Sequence, residues 1–336
     1  MSGVPGLVSV VMPVRNEERS IERAVMSVLT QTHSHIEIII VDAQSDDRTV
    51  SIVESLIAQG APLRCFDNPQ RLIAAGLNVG LAHVRGEFIA RVDAHAEVNS
   101  EYVELAVHHL THEPGVVAVG GRRRGVAQTP VGRANALALS SPFGVGNSIN
   151  HYATEVQRTD HASFGVYRAE AARAVGGWDE DLVVNEDVDF DHRLMQQDWE
   201  ILYEPRMVIE WHVRESVRDL GRQYRRYGRG KAAMVRKNGA VAVRARHLAA
   251  PLVVTALSVA GISAATGHRR VAAALAVPYG TALLAASAIT WRNAEGGEEV
   301  RLSALPASFA AMHAGWGVGF LEGLTGRQPA MASQRE

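Results

Sequence analysis

The sequence predicts an α/β fold, a doubly wound and mostly parallel sheet, followed by a C-terminal helical membrane region. Three observations lead there. Short β-branched runs alternate with segments of helical period through the first part of the chain. Polar clusters follow the ends of several of those runs, where a sheet of this kind binds its ligands. Beyond about Arg246, three stretches carry no Asp, Glu, Lys or Arg. The length of 336 residues suits one large α/β domain with an appendage, and 47% apolar with 21% charged residues excludes disorder over most of it.

Leu7 to Val14 is an apolar run with Val8-Ser9-Val10-Val11-Met12 at its centre and Arg15-Asn16-Glu17-Glu18 directly after it. It is too short and wrongly flanked for a secretory leader, so a buried strand is expected. Ser20 to Leu29 places Ile21, Ala24, Val25 and Val28-Leu29 at helical spacing. Glu37 to Val41 predicts a second buried strand ending in Asp42, and Arg48 to Gln59 a second helix. Leu63 to Phe66 reads as a strand, Leu72 to Ala82 as a helix, and Glu87 to Val92 as a strand ending in Asp93. Later, Glu186-Asp187 precedes a helical stretch from Phe190 to Gln197, and Met207 to Trp211 forms a strand with His212 beyond it.

The charge-free runs lie between Arg246 and Arg269, from Val271 to Trp291 and from Leu302 to Leu321. Each approaches the roughly 20 residues that cross about 30 Å of hydrocarbon. Their many Ala, Gly, Ser and Thr residues suit close helix packing in a bilayer. Immediately upstream, Arg206 to Arg246 holds twelve Lys/Arg against three Asp/Glu, the bias that marks the cytoplasmic side of a first span, although Arg269 and Arg270 pull the other way. The expected organisation is a catalytic domain over 1–205, a basic amphipathic connector over 206–246, two or three apolar membrane helices over 247–324 and a tail over 325–336.

Several function classes fall away. The segment after the first strand, Pro13-Val14-Arg15-Asn16-Glu17-Glu18, is not the Gly-x-Gly-x-x-Gly of a dinucleotide fold. Nor is it the glycine-rich basic loop of a sugar-1-phosphate nucleotidyltransferase. The single Cys65 excludes an internal disulfide and is read as a small buried hydrophobe. No nucleic-acid partner is expected.

Five pieces in one order carry a resemblance: Val10-Val11-Met12-Pro13-Val14-Arg15-Asn16-Glu17; Ile39-Ile40-Val41-Asp42-Ala43-Gln44-Ser45-Asp46-Asp47; Gly76-Leu77-Asn78; Arg91-Val92-Asp93-Ala94-His95; and Gly176-Gly177-Trp178-Asp179-Glu180 with Asn185-Glu186-Asp187. Over roughly the first 230 residues the chain thereby resembles the family-2 glycosyltransferases of GT-A fold. Arg91 to Ala96 and Ala311-Met312-His313-Ala314-Gly315-Trp316-Gly317 are similar to the bacterial succinoglycan-type glucosyltransferases of exopolysaccharide assembly. The resemblance implies inverting transfer of a sugar, glucose from UDP-glucose, onto a hydroxyl of a lipid-diphosphate-linked saccharide, at a cell membrane with the catalytic domain on the cytoplasmic side. Transfer to polyprenyl phosphate itself and processive polysaccharide synthesis are the alternatives within the class, and the nucleotidyltransferase is the alternative from another.

Such a transfer needs the leaving diphosphate neutralised, the nucleotide held and the acceptor hydroxyl deprotonated. By resemblance Asp42 reads the base, Pro13, Arg15 and Glu17 frame base and ribose, and Asn78 and Arg91 belong to the same nucleotide site. Asp93 takes the first place of the family's metal-binding Asp-x-Asp motif, with His95 in the third, a change that suits Mn²⁺ better than Mg²⁺. His212 is a further candidate metal or diphosphate contact. Asp187 is implied as general base beside Glu186; Trp178 and Asp179 are placed at the acceptor, the flat indole suiting a sugar, with a core plug as the other reading of Trp178. Gln223, Arg226 and Tyr227 form a Gln-x-x-Arg-Tyr sequence, similar to the Gln-x-x-Arg-Trp of membrane-bound glycan synthases, which lies by acceptor and diphosphate.

Overall fold

The computed structural model describes residues 3–238, 246–294 and 300–325. The end of the expected connector, 239–245, and the expected tail from 326 on lie outside them. In chain order the first elements are β1 (Val4–Val14), α1 (Ile21–Leu29), β2 (Ile36–Asp42), α2 (Thr49–Ala58), β3 (Leu63–Asp67), α3 (Ile73–His83) and β4 (Gly86–Arg91). There follow β5 (Ala96–Val98), α4 (Tyr102–His112), β6 (Val116–Val126), α5 (Pro130–Leu139), α6 (Pro142–Val145), β7 (Gln157–Thr159), β8 (Val166–Arg168) and α7 (Ala169–Ala174). The last are α8 (Glu186–Met195), β9 (Glu200–His212), α9 (Val217–Asn238), α10 (Arg246–Ala265), α11 (Arg269–Arg292) and α12 (Leu305–Leu324).

These elements form two compact units. One comprises the residues up to Arg124 with Ile149–His212, the other Gly125–Ser148 with the residues from Val213 on. The division departs from an unbroken N-terminal domain ending at 205, because α5 packs with the C-terminal elements. Its buried Asn135 donates to the Arg214 carbonyl at 2.6 Å and accepts from the Ser308 hydroxyl at 2.7 Å.

The first unit is built on a sheet of order β3-β2-β1-β4-β8-β6-β9-β5, with β7 pairing β9. Strands β1 to β4 are parallel, as the β-branched runs predict, with Val10 opposite Ile38 on one side and Ala90 on the other. The rest is mixed: β8 is antiparallel to β4 and β6, and β5 and β7 to β9. Two apolar layers sandwich this sheet. One gathers Val10, Met12, Ile38, Ile40 and Val25; the other gathers Val11, Ile39, Leu77, Trp178 and Phe190. Cys65 corrects its expectation: it is exposed, on the β3 edge of the sheet.

In the second unit, His247–Ala265 and Arg269–Arg292 are long and apolar enough to cross a membrane, with mean hydropathy 1.9 and 1.6, and their Leu252, Ile262, Val277 and Leu284 stand exposed. The third charge-free run behaves otherwise. It forms α12, whose Phe309, Met312 and Phe320 are buried, and it is not a third candidate span among the described residues. Its partner is α9. A side chain at Gly319 would collide with the Arg225 carbonyl, and one at Gly228 with the Trp316 carbonyl, so the two backbones touch there. The contacts advance together along both helices, and Arg225 and Arg229 close the pair on Glu322 at 2.9 and 2.8 Å.

Candidate active site

The first unit gathers its ionisable groups where β4 ends. Arg91 donates through Nε to Asp93 Oδ1 at 2.8 Å and through Nη2 to Oδ2 at 3.3 Å, and its Nη1 reaches Glu186 Oε1 at 3.0 Å. Burial alone would neutralise Asp93, yet the Arg91 charge and its hydrogen bonds outweigh burial and hold the carboxyl below its usual range. The site therefore has an ionised Asp93 and a guanidinium that is already satisfied by carboxylates.

Glu186 and Asp187 open α8 after Asn185, which takes a left-handed conformation with φ of 65°. The structure draws them into the first turn, ahead of the stretch the sequence marks as helical. Their environments differ. Burial, then the adjacent Asp187 charge, push the Glu186 carboxyl up against the pull of Arg91. For Asp187, burial is outweighed by the His161 and Arg91 charges, the Val188 N–H and Arg123, and the net shift is downward. The Asp187 side chain is 34% exposed and that of Glu186 7%. Of the pair, Asp187 is thus the one both ionised and accessible, which a general base has to be.

Residues that sequence reasoning passed over complete this cluster. His161 Nδ1 lies 2.6 Å from Asp191 Oδ2, and its Nε2 3.8 Å from Asp187 Oδ2. Arg123 stacks over Trp211 at 4.4 Å and faces Phe164 at 5.7 Å, and its charge favours the ionised forms of both Asp93 and Asp187. Neither had a periodic or motif signal. His161 sits in a short polar loop before a three-residue strand, and Arg123 in the run Arg122-Arg123-Arg124, where a solvated face is the ordinary reading.

On the expected nucleotide side, Pro13, Arg15 and Glu17 lie at the exit of β1, partly exposed. Arg15 has no hydrogen-bond or ion-pair partner among the described residues. Glu17 meets His95 Nδ1 at 3.1 Å. Asp42 is buried at the end of β2 and accepts from the Ser45 N–H at 3.0 Å and hydroxyl at 2.6 Å, so part of its capacity closes its own turn. Asn78 corrects its expectation. Its amide donates to the Trp178 carbonyl and the Glu180 carboxylate and accepts from the Trp178 N–H, each at 2.8 Å, which spends it on latching a turn.

Trp178 is corrected likewise. It is buried, stacks on Phe190 at 4.3 Å and meets Tyr167 edge to face, so its ring is core and offers no face to a sugar. Asp179 stays partly exposed and accepts from the Asp181 N–H at 3.0 Å. In the second unit, Gln223 donates to the Tyr227 hydroxyl at 2.8 Å, inside the Gln-x-x-Arg-Tyr segment, while its Oε1 is buried without a partner among the described residues. Of the cations nearby, Arg222 pairs with Asp219, and Arg225 and Arg229 with Glu322. Arg226 has no such partner among the described residues.

Asp93 and His95 stand two residues apart, and the register that pairs Ala96 with Trp211 runs on toward His95 and His212. Among the described residues no three His, Cys, Asp or Glu groups form a cage for a metal ion. A carboxylate and imidazoles are donor types that a divalent ion such as Mn²⁺ accepts, and ions at diphosphates take their remaining ligands from substrate oxygens. To join such a site His95 has to be neutral, and its Nδ1–H can stay on Glu17 while Nε2 turns to the ion.

The model of the family described as Glycosyl transferase family 2 matches residues 9–176. Succinoglycan biosynthesis protein ExoA of Rhizobium meliloti (strain 1021) is 28% identical over 324 residues, covering 93% of this chain and 93% of that protein. A dolichyl N-acetyl-α-D-glucosaminyl phosphate 3-β-D-2,3-diacetamido-2,3-dideoxy-β-D-glucuronosyltransferase of Methanococcus voltae is 23% identical over 239 residues, covering 68% of this chain and 74% of its own length. The solved structure of a mannosyltransferase from Pyrobaculum calidifontis in complex with GDP-Man and Mn²⁺ superposes with a TM-score of 0.66 at 20% identity, over 96% of this chain and 88% of that one.

Proposed function

This chain belongs to glycosyl transferase family 2, and we propose that it moves a sugar from a nucleoside diphosphate sugar, with inversion, onto a hydroxyl of a saccharide carried on a membrane lipid diphosphate. The observation that carries the reading is the ionised, accessible Asp187 at the head of α8, a short chain of contacts away from Asp93 through Glu186 and Arg91. One carboxylate is thus ready to take a proton at some distance from another that is charged where a diphosphate would be met.

Asp187 takes the acceptor proton as the acceptor oxygen bonds to the anomeric carbon. The bond from that carbon to the diphosphate breaks, and its electron pair leaves with the nucleoside diphosphate. A divalent metal, when bound, supplies charge neutralisation at the leaving group; Asp93, His95 and His212 would hold it. Arg91 fixes Asp93 and Glu186 and adds positive charge behind both. Arg15, without a partner among the described residues, and Asp42, with lone pairs left beyond Ser45, are assigned to the nucleotide, and Glu17 beside them.

Glucose from UDP-glucose, an exopolysaccharide product and a lipid-linked acceptor rest on the relatives. One is a succinoglycan biosynthesis protein, and another is named as acting on a dolichyl-linked sugar phosphate. The two apolar helices after the basic α9 support attachment to a cell membrane with the first unit on the cytoplasmic side. The test is to supply UDP-glucose, UDP-N-acetylglucosamine and GDP-mannose in turn to membranes holding the protein, with a total lipid extract as acceptor, and to read products by mass spectrometry. A hexose added to a lipid-diphosphate saccharide is the expected product; transfer to water alone, or to polyprenyl phosphate itself, would overturn the acceptor assignment.

A further inference from the structure

We propose that His161 is a positioning residue for the transfer, an imidazole that Asp191 fixes behind the base and that presents its other ring nitrogen to Asp187. The inference rests on the reading of Asp187 as base and goes beyond it by giving that base a partner.

Asp187 and Asp191 lie four residues apart and so on one face of α8. His161 spans them: Nδ1 is 2.6 Å from Asp191 Oδ2 and Nε2 3.8 Å from Asp187 Oδ2. Asp191 is fully buried, the His161 side chain 18% exposed and that of Asp187 34%, a gradient from anchor to solvent. The same Asp191 oxygen accepts the Ala162 N–H at 2.8 Å, and the Ala162 carbonyl accepts the Tyr167 hydroxyl at 3.2 Å. Loop and ring are therefore pinned together. An aspartate that only tethered the loop would be served by the Ala162 N–H; the imidazole adds a second nitrogen facing the base. A carboxylate that orients an imidazole toward a reacting group is the logic of hydrolytic triads, here with a carboxylate as the group served.

The charge follows from the surroundings. Burial pulls the His161 ring down, but the hydrogen bond to Asp191 and the charges of Asp187, Asp191 and Asp160 outweigh it, and the net shift is upward. An imidazolium there keeps Asp187 ionised, so that the base stays competent at lower pH. Other groups face the pair: Arg91 from β4, Arg123 from β6, Glu186 from α8, Tyr167 from β8, and His151, which burial keeps neutral. His161→Gln leaves these side chains in place, while His151, Asp191 and, through Asp187, Glu186 feel the loss of its charge.

The experiment follows nucleoside diphosphate release against pH, from roughly pH 3 to 9 so that the acid limb of a depressed carboxyl falls inside the range, for the full chain in membranes with a total lipid extract and whichever of UDP-glucose, UDP-N-acetylglucosamine and GDP-mannose turns over. In His161→Gln the acid limb of kcat/KM should move up by roughly 1–3 pH units, the reach of a lost neighbouring cation, with the alkaline plateau within about tenfold of wild type and donor binding kept. Asp191→Asn retains the ring, loosens its anchor, and should move the limb in the same direction, which serves as the readout if His161→Gln fails to fold. A uniform loss at every pH, or an unmoved limb in the folded variants, would overturn the proposal. Asp187→Asn separates the two readings: if it turns over normally the base assignment has failed, whereas a dead Asp187→Asn beside an unmoved limb removes only His161.

Discussion

Arg91 Nη1 lies 3.0 Å from Glu186 Oε1, an ion pair that ties the exit of β4 to the first turn of α8. Removing one partner of a buried pair leaves an uncompensated charge and costs about 3–5 kcal/mol. Arg91→Met should therefore lower the melting transition strongly, besides abolishing transfer. Arg91→Lys should recover little of either, since an ammonium cannot reproduce the paired contacts to Asp93 together with the third to Glu186. A wild-type melting curve for Arg91→Met would refute this account.

The neighbouring acids should separate on substitution. Asp187→Asn removes the proposed base and should reduce turnover about 10²–10⁴-fold while donor binding survives. Glu186→Gln keeps an oxygen for Arg91, and because burial already disfavours its charge, turnover should fall by no more than about tenfold. Turnover measured beside donor binding by calorimetry decides; equal collapse in both variants would mean that the acids act as one unit.

Metal dependence is the third expectation. With one carboxylate and imidazoles as donors, excess chelator should abolish transfer, and Mn²⁺ should restore it at least as well as Mg²⁺. Full activity in chelator would leave Asp93 to the nucleotide alone.

In the second unit the expectation concerns Arg226. Arg222 is already paired with Asp219, whereas Arg226 has no partner among the described residues, and a charge-assisted contact to phosphate is worth roughly 1.5–3 kcal/mol. Arg226→Ala should then impair transfer about tenfold or more, against a slight loss for Arg222→Ala, with membrane association equal in flotation assays. Matching small losses would reduce the segment to an electrostatic anchor.

How far these features could be read from the sequence depends on how local their causes are. Strands β1, β2 and β4 are buried on both faces, so Val10-Val11-Met12 and Ile38-Ile39-Ile40 announce themselves, and the polar residues that follow them are found at once. Strands β5, β7 and β8 have three residues each, too few for any period, so of the antiparallel half of the sheet only Met207 to Trp211, within β9, was legible. Trp178 misled because an aromatic after two glycines suits a sugar platform as well as a core plug, and only Phe190 and Tyr167 decide. His161 meets Asp191 across a fold-made gap, and nothing in its own neighbourhood predicts it. The third apolar run looked like its two predecessors because hydropathy does not register a stripe of glycines made for another helix.

That stripe bears on the order in which the molecule is assembled. Because α9 meets α12 backbone to backbone at Gly228 and Gly319, its glycine face has no substitute partner among side chains. Yet α10 and α11 are synthesised between the two. During translation the basic helix must therefore wait, with that face bare, while two apolar helices emerge and find their own surroundings. Its arginines acquire Glu322 only afterwards. Ribosome-stalled chains ending before α12 should carry α9 in a form open to protease, and the segment bearing Gln223 and Arg226 would be among the last parts of the protein to mature.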